Sequence, residues 1–409
     1  ENDEAYPMIY YFMGWFYEQK GDSKNALQAY KKAALMPEEY CFPNKIEEVI
    51  ALKAACRANS TDARAFYYLG NFWYASKQYK EAQECWEASV NLNDNFAITH
   101  RNLALLYYNK TNQKDDAVKH LEKAFELDSG DARLLMELDQ LYKKINTPVK
   151  DRLTLLENHL ELTNSRDDLY LERVALYNLL SDFEKAKELI ENRQFHPWEG
   201  GEGKVPFQYL TSYTELAKKN INLKNFTEAI ELLEQAKTYP HNLGEGKLDG
   251  TVENDIDYWL GCAYQGLGNS EKANLYFEKA SKGLSDPSPA IFYNDQQPDK
   301  IFYQGLALQK LGRQDEANQR FENLLQYGKT HMNDHVKLDY FAISLPDLLI
   351  WEEDLDVINK IHCHYLIGLG QLGMGNETEA AEAFAKVTDT NLYHIPAHIH
   401  ASLEVDLII

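Results

Sequence analysis

Two glycine-rich stretches carry the residues that come nearest to ligand chemistry: "HPWEGGEGKV" at 196–205 and "YPHNLGEGKL" at 239–248. Each holds Pro, three residues, then Gly-Glu-Gly-Lys. An aromatic ring (Trp198, His241) therefore precedes a carboxylate (Glu202, Glu245) and an ammonium (Lys204, Lys247). A phosphate-cradling loop needs Gly, four residues, Gly-Lys and then Ser or Thr, entered from a strand. Here Trp198 and His241 stand at the first glycine, Val205 and Leu248 replace the hydroxyl residue, and a helical pattern precedes each loop. The phosphate-loop reading fails on all three counts. Two readings are left. In one, the glycines supply positive φ so that a long connector folds back, and the charges make surface pairs. In the other, the rings form an apolar wall and the charged heads bind a sugar ring or a peptide. Each loop leads to the start of a helix, whose free N–H groups favour polar or anionic groups.

Further acids and aromatics follow. "LSDPSPAIFYNDQQPDK" at 284–300 offers Phe292, Tyr293, Asn294 and Asp295, and the stretch after it crowds Asp339, Tyr340, Asp347, Trp351, Glu352 and Glu353. Paired carboxylates act on a glycosidic bond when about 5–10 Å apart, but acidic clusters on helices are ordinarily solvated faces, so no catalytic residue is assigned. His362 and His364 lie two apart on a helical pattern and face different sides. His394, His398 and His400 are expected to pack or cap the chain end. HExxH and GxSxG do not occur. The five cysteines are scattered and never form CxxC, which suits a reducing compartment. The sequence predicts no metal, no cofactor and no chemistry of the chain's own.

Composition narrows the partners. With 42 Lys+Arg against 64 Asp+Glu, the net charge is −22 over 409 residues. That balance repels phosphate backbones, so nucleic acid is not an expected partner. No stretch approaches the ~20 apolar residues of a membrane span, and no leader pattern opens the chain. A cytoplasmic protein is expected. Opening on Glu1 rather than Met, the chain is expected to be a piece of a longer one.

The elements that must position these residues are helical and repeated. "DYWLGCAYQGLGNSEKANLYFEKA" at 257–280 carries Leu-Gly, Tyr three on, Gly at a turn, Ala twelve after the first Gly, then Phe and Ala. This resembles the tetratricopeptide repeat, in which small residues sit where helix A crosses helix B. The pair recurs as Gly14/Ala26, Gly70/Ala82, Ala217/Ala229, Gly261/Ala273, Gly305/Ala317 and Gly368/Ala380, with a large plug four residues after each Ala: Tyr30, Trp86, Leu233, Phe277, Phe321 and Phe384. Weaker copies fit at Ala104/Ala117 and Val174/Ala186, and a degenerate one at 132–162 places Pro148 in its turn. The fold expected is an all-α, right-handed superhelical solenoid of about nine helix pairs.

Spacing between repeats locates the extra chain. The helix-B positions Ala26, Ala82, Ala117, Leu153, Ala186, Ala229, Ala273, Ala317 and Ala380 are separated by 33 to 36 residues in the middle and 43 to 63 at the C-terminal end. A standard repeat needs about 34. The first step is also long, and an amphipathic pattern near 44–58 predicts an added helix there. The A-to-B turns stay short, so the surplus falls between helix B and the next helix A, at about 194–206, 238–252, 281–298 and 328–358. Residues 1–193 thus read as ordinary repeats and 194–409 as repeats with long loops, in one array. Equivalent loops stack on one edge of a solenoid and commonly mark a binding face.

The concave groove is the other candidate. Co-chaperone members of the repeat family grip a C-terminal carboxylate with Lys, Arg and Asn. Asn71 and Asn102 match that pattern and Arg133 offers a basic partner, but Tyr67 stands at the Lys position and Glu137 at an Arg position. An acid there repels a carboxylate. Tyr67, Asn71, Tyr74, Arg101, Asn102 and Tyr108 are left as a groove for other peptides. At the loops the chain further resembles the C-terminal helical half of large bacterial proteins with an N-terminal mutarotase-like domain. "YYLGNFWY", "FHPWEGGEGKV" and "NKIHCHYLIGLG" carry part of that likeness. It implies carbohydrate-related biology and no catalytic residue in this half. Three functions follow as expectations. They are a scaffold docking a protein or an upstream domain through the loop edge and concave face, a carbohydrate-processing protein with a sugar site at the loops, and a peptide adaptor.

Overall fold

Short turns join the helices in pairs, and one residue in each turn takes the left-handed conformation that ends a helix and lets the chain double back. These residues are Gly21, Lys77, Asn112, Asn146, Ser181, Lys224, Gly268, Gly312 and Gly375, with φ between 54° and 79°. Side-chain caps start several helices. Asp62 accepts from Ala65 N at 2.9 Å, and Asn269 accepts from Lys272 N at 3.1 Å. The computed structural model describes residues 6–38, 40–289, 295–336 and 349–403, and no strand occurs among them.

The pairs begin with α1 (Pro7–Gln19) and α2 (Ser23–Ala33). A single helix α3 (Ile46–Ala58) follows, packed on α1 and on α4 (Ala63–Ala75). Then α4 pairs with α5 (Tyr79–Leu92), α6 (Ala97–Asn109) with α7 (Lys114–Leu127), and α8 (Ala132–Lys144) with α9 (Val149–Asn158). After the short α10 (Leu160–Ser165) come α11 (Asp167–Leu179) with α12 (Phe183–Glu191), and α13 (Lys204–Asn222) with α14 (Phe226–Ala236). The last pairs are α15 (Asn254–Gly266) with α16 (Ser270–Ala280), α17 (Pro298–Lys310) with α18 (Gln314–His331), and α19 (Leu355–Gly373) with α20 (Glu377–Thr390). A terminal helix α21 (Ile395–Ala401) follows.

The small residue of helix A makes room for a ring rather than for the alanine of helix B. A Cβ built on Gly70 would sit 2.3 Å from the Trp86 ring, and one on Gly305 2.3 Å from Phe321. Gly14, Gly261 and Gly368 meet Tyr30, Phe277 and Phe384 in the same way. The plug is thus pressed against bare backbone. Burying such a ring contributes roughly 1.5–3 kcal/mol, and the glycine is what lets it lie flat.

The chain divides into two compact units: Glu1–Leu141 with Leu349–Glu352, and Tyr142–Leu348 with Glu353–Ile409. The division falls within α8, whereas the change in loop length falls at 193, inside the second unit. That second unit closes on itself. Asn146, in the turn after α8, donates its amide to Thr390 O at 3.0 Å and accepts from Leu392 N at 3.0 Å. Tyr393 donates its hydroxyl to Thr147 O, and the Arg152 guanidinium lies 4.5 Å from the Tyr393 ring centroid. From this closure α21 enters the interior and seats His400 against Phe302, Tyr303 and Tyr365.

Candidate functional site

The two Gly-Glu-Gly-Lys loops lie against each other. Phe195 N donates to Asn242 O at 2.8 Å, and Asn242 donates its side chain to Ile190 O and Arg193 O. Gly203, at φ 73°, ends the first loop at the start of α13, and its N–H donates to the Glu245 carboxylate at 2.8 Å. Burial pushes the Glu245 carboxyl up, although that N–H opposes the shift. Lys247 donates to Lys237 O at 3.0 Å and pairs with Glu253 at 2.6 Å. Trp198 is half-buried on the unit's core, with its ring over Gly201, where a Cβ would meet it at 2.3 Å. Glu202, Lys204 and His241 are exposed. The glycines at positive φ (200, 203, 244 and 250) do what a connector requires. All six of these chemistry-bearing residues sit within one pair of loops, but Trp198, Glu245 and Lys247 spend their polar or aromatic capacity on the loops and the helix ends beside them.

In the later loops, Asp295 O accepts from Gln297 Nε2 at 3.2 Å. Tyr293, Asp339, Tyr340 and Asp347 lie outside the described residues, as do Phe292 and Asn294. His362 contacts Ser288 O at 2.9 Å. His394 caps α21 by accepting from Ala397 N at 3.1 Å, and His398 contacts Leu392 O at 2.7 Å. Among the described residues no three His, Cys, Asp or Glu side chains are placed to share a metal, and no helix is long and apolar enough to cross a membrane.

The first unit's inner face gathers the groove residues. Tyr67 is buried against Tyr68 and Phe96, so it supports the wall rather than lining it. Asn71 Oδ1 accepts from Trp86 Nε1 and from Asn102 Nδ2, both at 3.2 Å. Tyr74 packs against Trp86 at a tilt and against Tyr79 edge-on, with ring centroids 5.4 and 5.3 Å away. With Arg101 and Leu105, the residues Asn71, Tyr74 and Asn102 line a cavity of ≈ 250 Å³. Arg101 grips Glu137 with two hydrogen bonds of 2.6 Å, and Arg133 adds a third at 2.9 Å. Glu137 has no exposed surface. Arg133, the basic partner a carboxylate clamp would use, is therefore spent on this acid together with Arg101.

Beside that cavity lies a piece of the chain's own backbone. Asn109, the last residue of α6, donates to Ile350 O and accepts from Glu352 N, both at 2.9 Å. The residue held between these bonds is Trp351, which is 2% exposed. Its ring meets Tyr108 at 5.2 Å, and its Nε1 donates to Glu137 O at 3.2 Å. Glu352 pairs with Lys110, and within the second unit Glu353 pairs with Lys144. Trp351 is thus a groove residue, not a loop-edge one. Asn109 and Lys110 were not singled out from the sequence. The signal available was the four-residue rhythm Arg101, Leu105, Asn109, which keeps one face of α6.

The second unit's interior is also lined with charge. Lys300 pairs with Asp255 at 2.7 Å and Asp299 at 3.5 Å, and Lys218 pairs with Glu215 at 2.8 Å beneath the Trp259 ring. His400 is packed among these helices.

Comparison with known family models agrees with the paired helices. Tetratricopeptide-repeat family models match residues 9–40, 102–131, 258–282 and 301–327. The chain carries tetratricopeptide repeats. These matches fall on the first pair, on α6 and α7, and on the two pairs α15/α16 and α17/α18, so both units contain the repeat. Over 188 residues this chain is 25% identical to anaphase-promoting complex subunit 3 of Schizosaccharomyces pombe, a match covering 45% of this chain and 28% of that subunit's length. Among solved structures, Naa15/Naa10 bound to HypK-THB aligns over 97% of this chain and 60% of that one, with 14% identity and a TM-score of 0.43. YrrB, a tetratricopeptide protein with an unusual peptide-binding site, aligns over 56% of this chain and 90% of its own, with 15% identity and a TM-score of 0.30.

Proposed function

We propose that this tetratricopeptide chain is an interaction scaffold whose first unit holds an extended peptide of a partner protein. The site is the inner face formed by α4, α6 and α8. The observation that carries this reading is the ≈ 250 Å³ cavity lined by Asn71, Tyr74, Arg101 and Asn102. Asparagine amides bind main chain without regard to side-chain identity, and the Tyr74 ring supplies apolar area at low entropic cost. A sugar platform at the loops would need the open face of Trp198, which packs instead on Gly201 and the core. Selection of a displayed random-peptide library on the full chain tests the proposal. Selected peptides should lose about tenfold or more in affinity on Asn71→Ala or Tyr74→Ala, which is ~1.4 kcal/mol or more, and none on Trp198→Ala. Binding that tracks Trp198 and ignores the groove substitutions would refute it.

A further inference from the structure

A short piece of the chain's own backbone, Ile350–Glu352, lies against α6 of the first unit. Asn109 holds Ile350 O and Glu352 N in the two-bond manner by which a side-chain amide reads an extended main chain. Between those bonds one large ring, Trp351, goes into a seat made by Tyr108 and Glu137 O. Immediately after it, Glu352 meets Lys110, a cation that also lies 5.0 Å from the Tyr79 ring centroid. A main-chain clamp, an aromatic seat with an acceptor for an indole N–H, and a lysine one residue on form an ordered recognition code. The cavity lined by Asn71, Tyr74 and Asn102 lies on the same α4–α6 face.

Resting on the groove reading above, we infer that Ile350–Glu352 is a resident pseudo-ligand, and that the groove's external partner is an extended peptide with an aromatic residue followed by an acid. The segment occupies the seat in cis, so it lowers the apparent affinity for any such peptide in trans by its own occupancy. A tethered segment has an effective concentration of about millimolar. If the isolated peptide binds at roughly 100 μM, self-occupancy masks the groove about tenfold.

The test uses the full chain and the capped peptide Leu-Ile-Trp-Glu-Glu-Asp, the sequence of residues 349–354, labelled for fluorescence anisotropy. Trp351→Ala in the chain should empty the seat and tighten binding of this peptide about tenfold, and adding Asn109→Ala to it should abolish binding. Equal affinity for the wild-type and Trp351→Ala chains would overturn the inference. Should Trp351→Ala fail to fold, hydrogen exchange on the wild-type chain decides. Excess peptide should expose the Glu352 amide to exchange, and an unchanged rate would overturn the inference. A concentration-dependent dimer that the peptide leaves intact would also overturn it, since the seat would then belong to a second copy. Library peptides that depend on Asn71 yet do not compete with the labelled peptide would sink this inference while leaving the scaffold function standing.

Discussion

Acidification should weaken the second unit through His400. This ring is 4% exposed, and its Nδ1 lies 2.7 Å from Pro396 O and 3.1 Å from the Tyr365 hydroxyl. A carbonyl only accepts, so Nδ1 carries the proton in the neutral ring and Nε2 is left as a buried atom without a partner. Charging the ring would place a second proton on that nitrogen among Phe302, Tyr303 and Tyr365. Burial, with Lys218 and Lys300 against it and Asp255 and Pro396 O in its favour, holds His400 down at about 3 against an ordinary 6.5. The folded ring therefore stays neutral while the unfolded ring protonates as pH falls through 6.5. Stability is fully present above that value and is lost progressively below it. Linkage between pH 7 and pH 5 gives about 2 kcal/mol for one such group, a large share of the ~5–15 kcal/mol of an ordinary domain. At an m-value of about 3 kcal/mol/M this is a shift of roughly 0.7 M in urea midpoint. The assay is urea unfolding at both pH values, followed by circular dichroism, for the wild type and for His400→Phe. The phenyl ring keeps most of the volume and cannot titrate, so its pH shift should be smaller by about that amount. Equal shifts for the two proteins would refute the reasoning.

Two further outcomes follow from the packing. Gly305→Ala should destabilise by about 1–3 kcal/mol, because the new Cβ meets the Phe321 ring at 2.3 Å, and this outweighs a helix-propensity gain of up to ~1 kcal/mol. Adding Phe321→Leu should make the two effects non-additive in a thermal-unfolding cycle, whereas strict additivity would mean that the ring and the glycine do not compete for space. Asn146→Ala should remove both bonds of the closure and cost roughly 1–3 kcal/mol, read as faster amide exchange at Leu392. Unchanged exchange there would show that the closure rests on Tyr393 and Arg152 alone.

The repeats were legible because their signal is local. A glycine, an alanine twelve residues on and a ring four further lie within one helix pair, so spacing alone exposes them. The capping and packing roles expected of His394, His398 and His400 are local in the same sense, although only the structure shows which rings surround His400. The spacing named the plug, but it did not show that the plug's ring lies directly over Gly70 and Gly305. Trp351 shows the other limit. Its place in the register puts it in a long loop after α18, yet its partners Tyr108 and Glu137 lie 243 and 214 residues away. No helical period links such positions. The loops at 194–206 and 238–252 follow α12 and α14, the second helices of consecutive pairs, but that Glu245 would satisfy Gly203 N–H was not visible from two similar strings.

One device serves both units, and the difference in what surrounds it decides whether it can let go. Asn109 and Asn146 each bracket a single residue with two main-chain bonds, around Trp351 in one case and Asn391 in the other. At Asn146 the bracketed chain continues into α21, and His400 and Ala397 are buried with it in the core. Releasing it would expose several side chains together. At Asn109 the bracketed segment buries one. A ring of roughly 150–250 Å² at ~25 cal/mol/Å² is worth about 4–6 kcal/mol, and ordering three or four residues of backbone costs about 1–2 kcal/mol each. The two terms nearly cancel. The exposed Glu352 to Lys110 pair adds at most ~1 kcal/mol, and the two amide bonds about 1 kcal/mol apiece. The Asn146 clamp is therefore part of the fold. The Asn109 clamp is left with a surplus of only about 1–3 kcal/mol, little enough that a peptide of the same chemistry, supplied in trans at high enough concentration, takes its place.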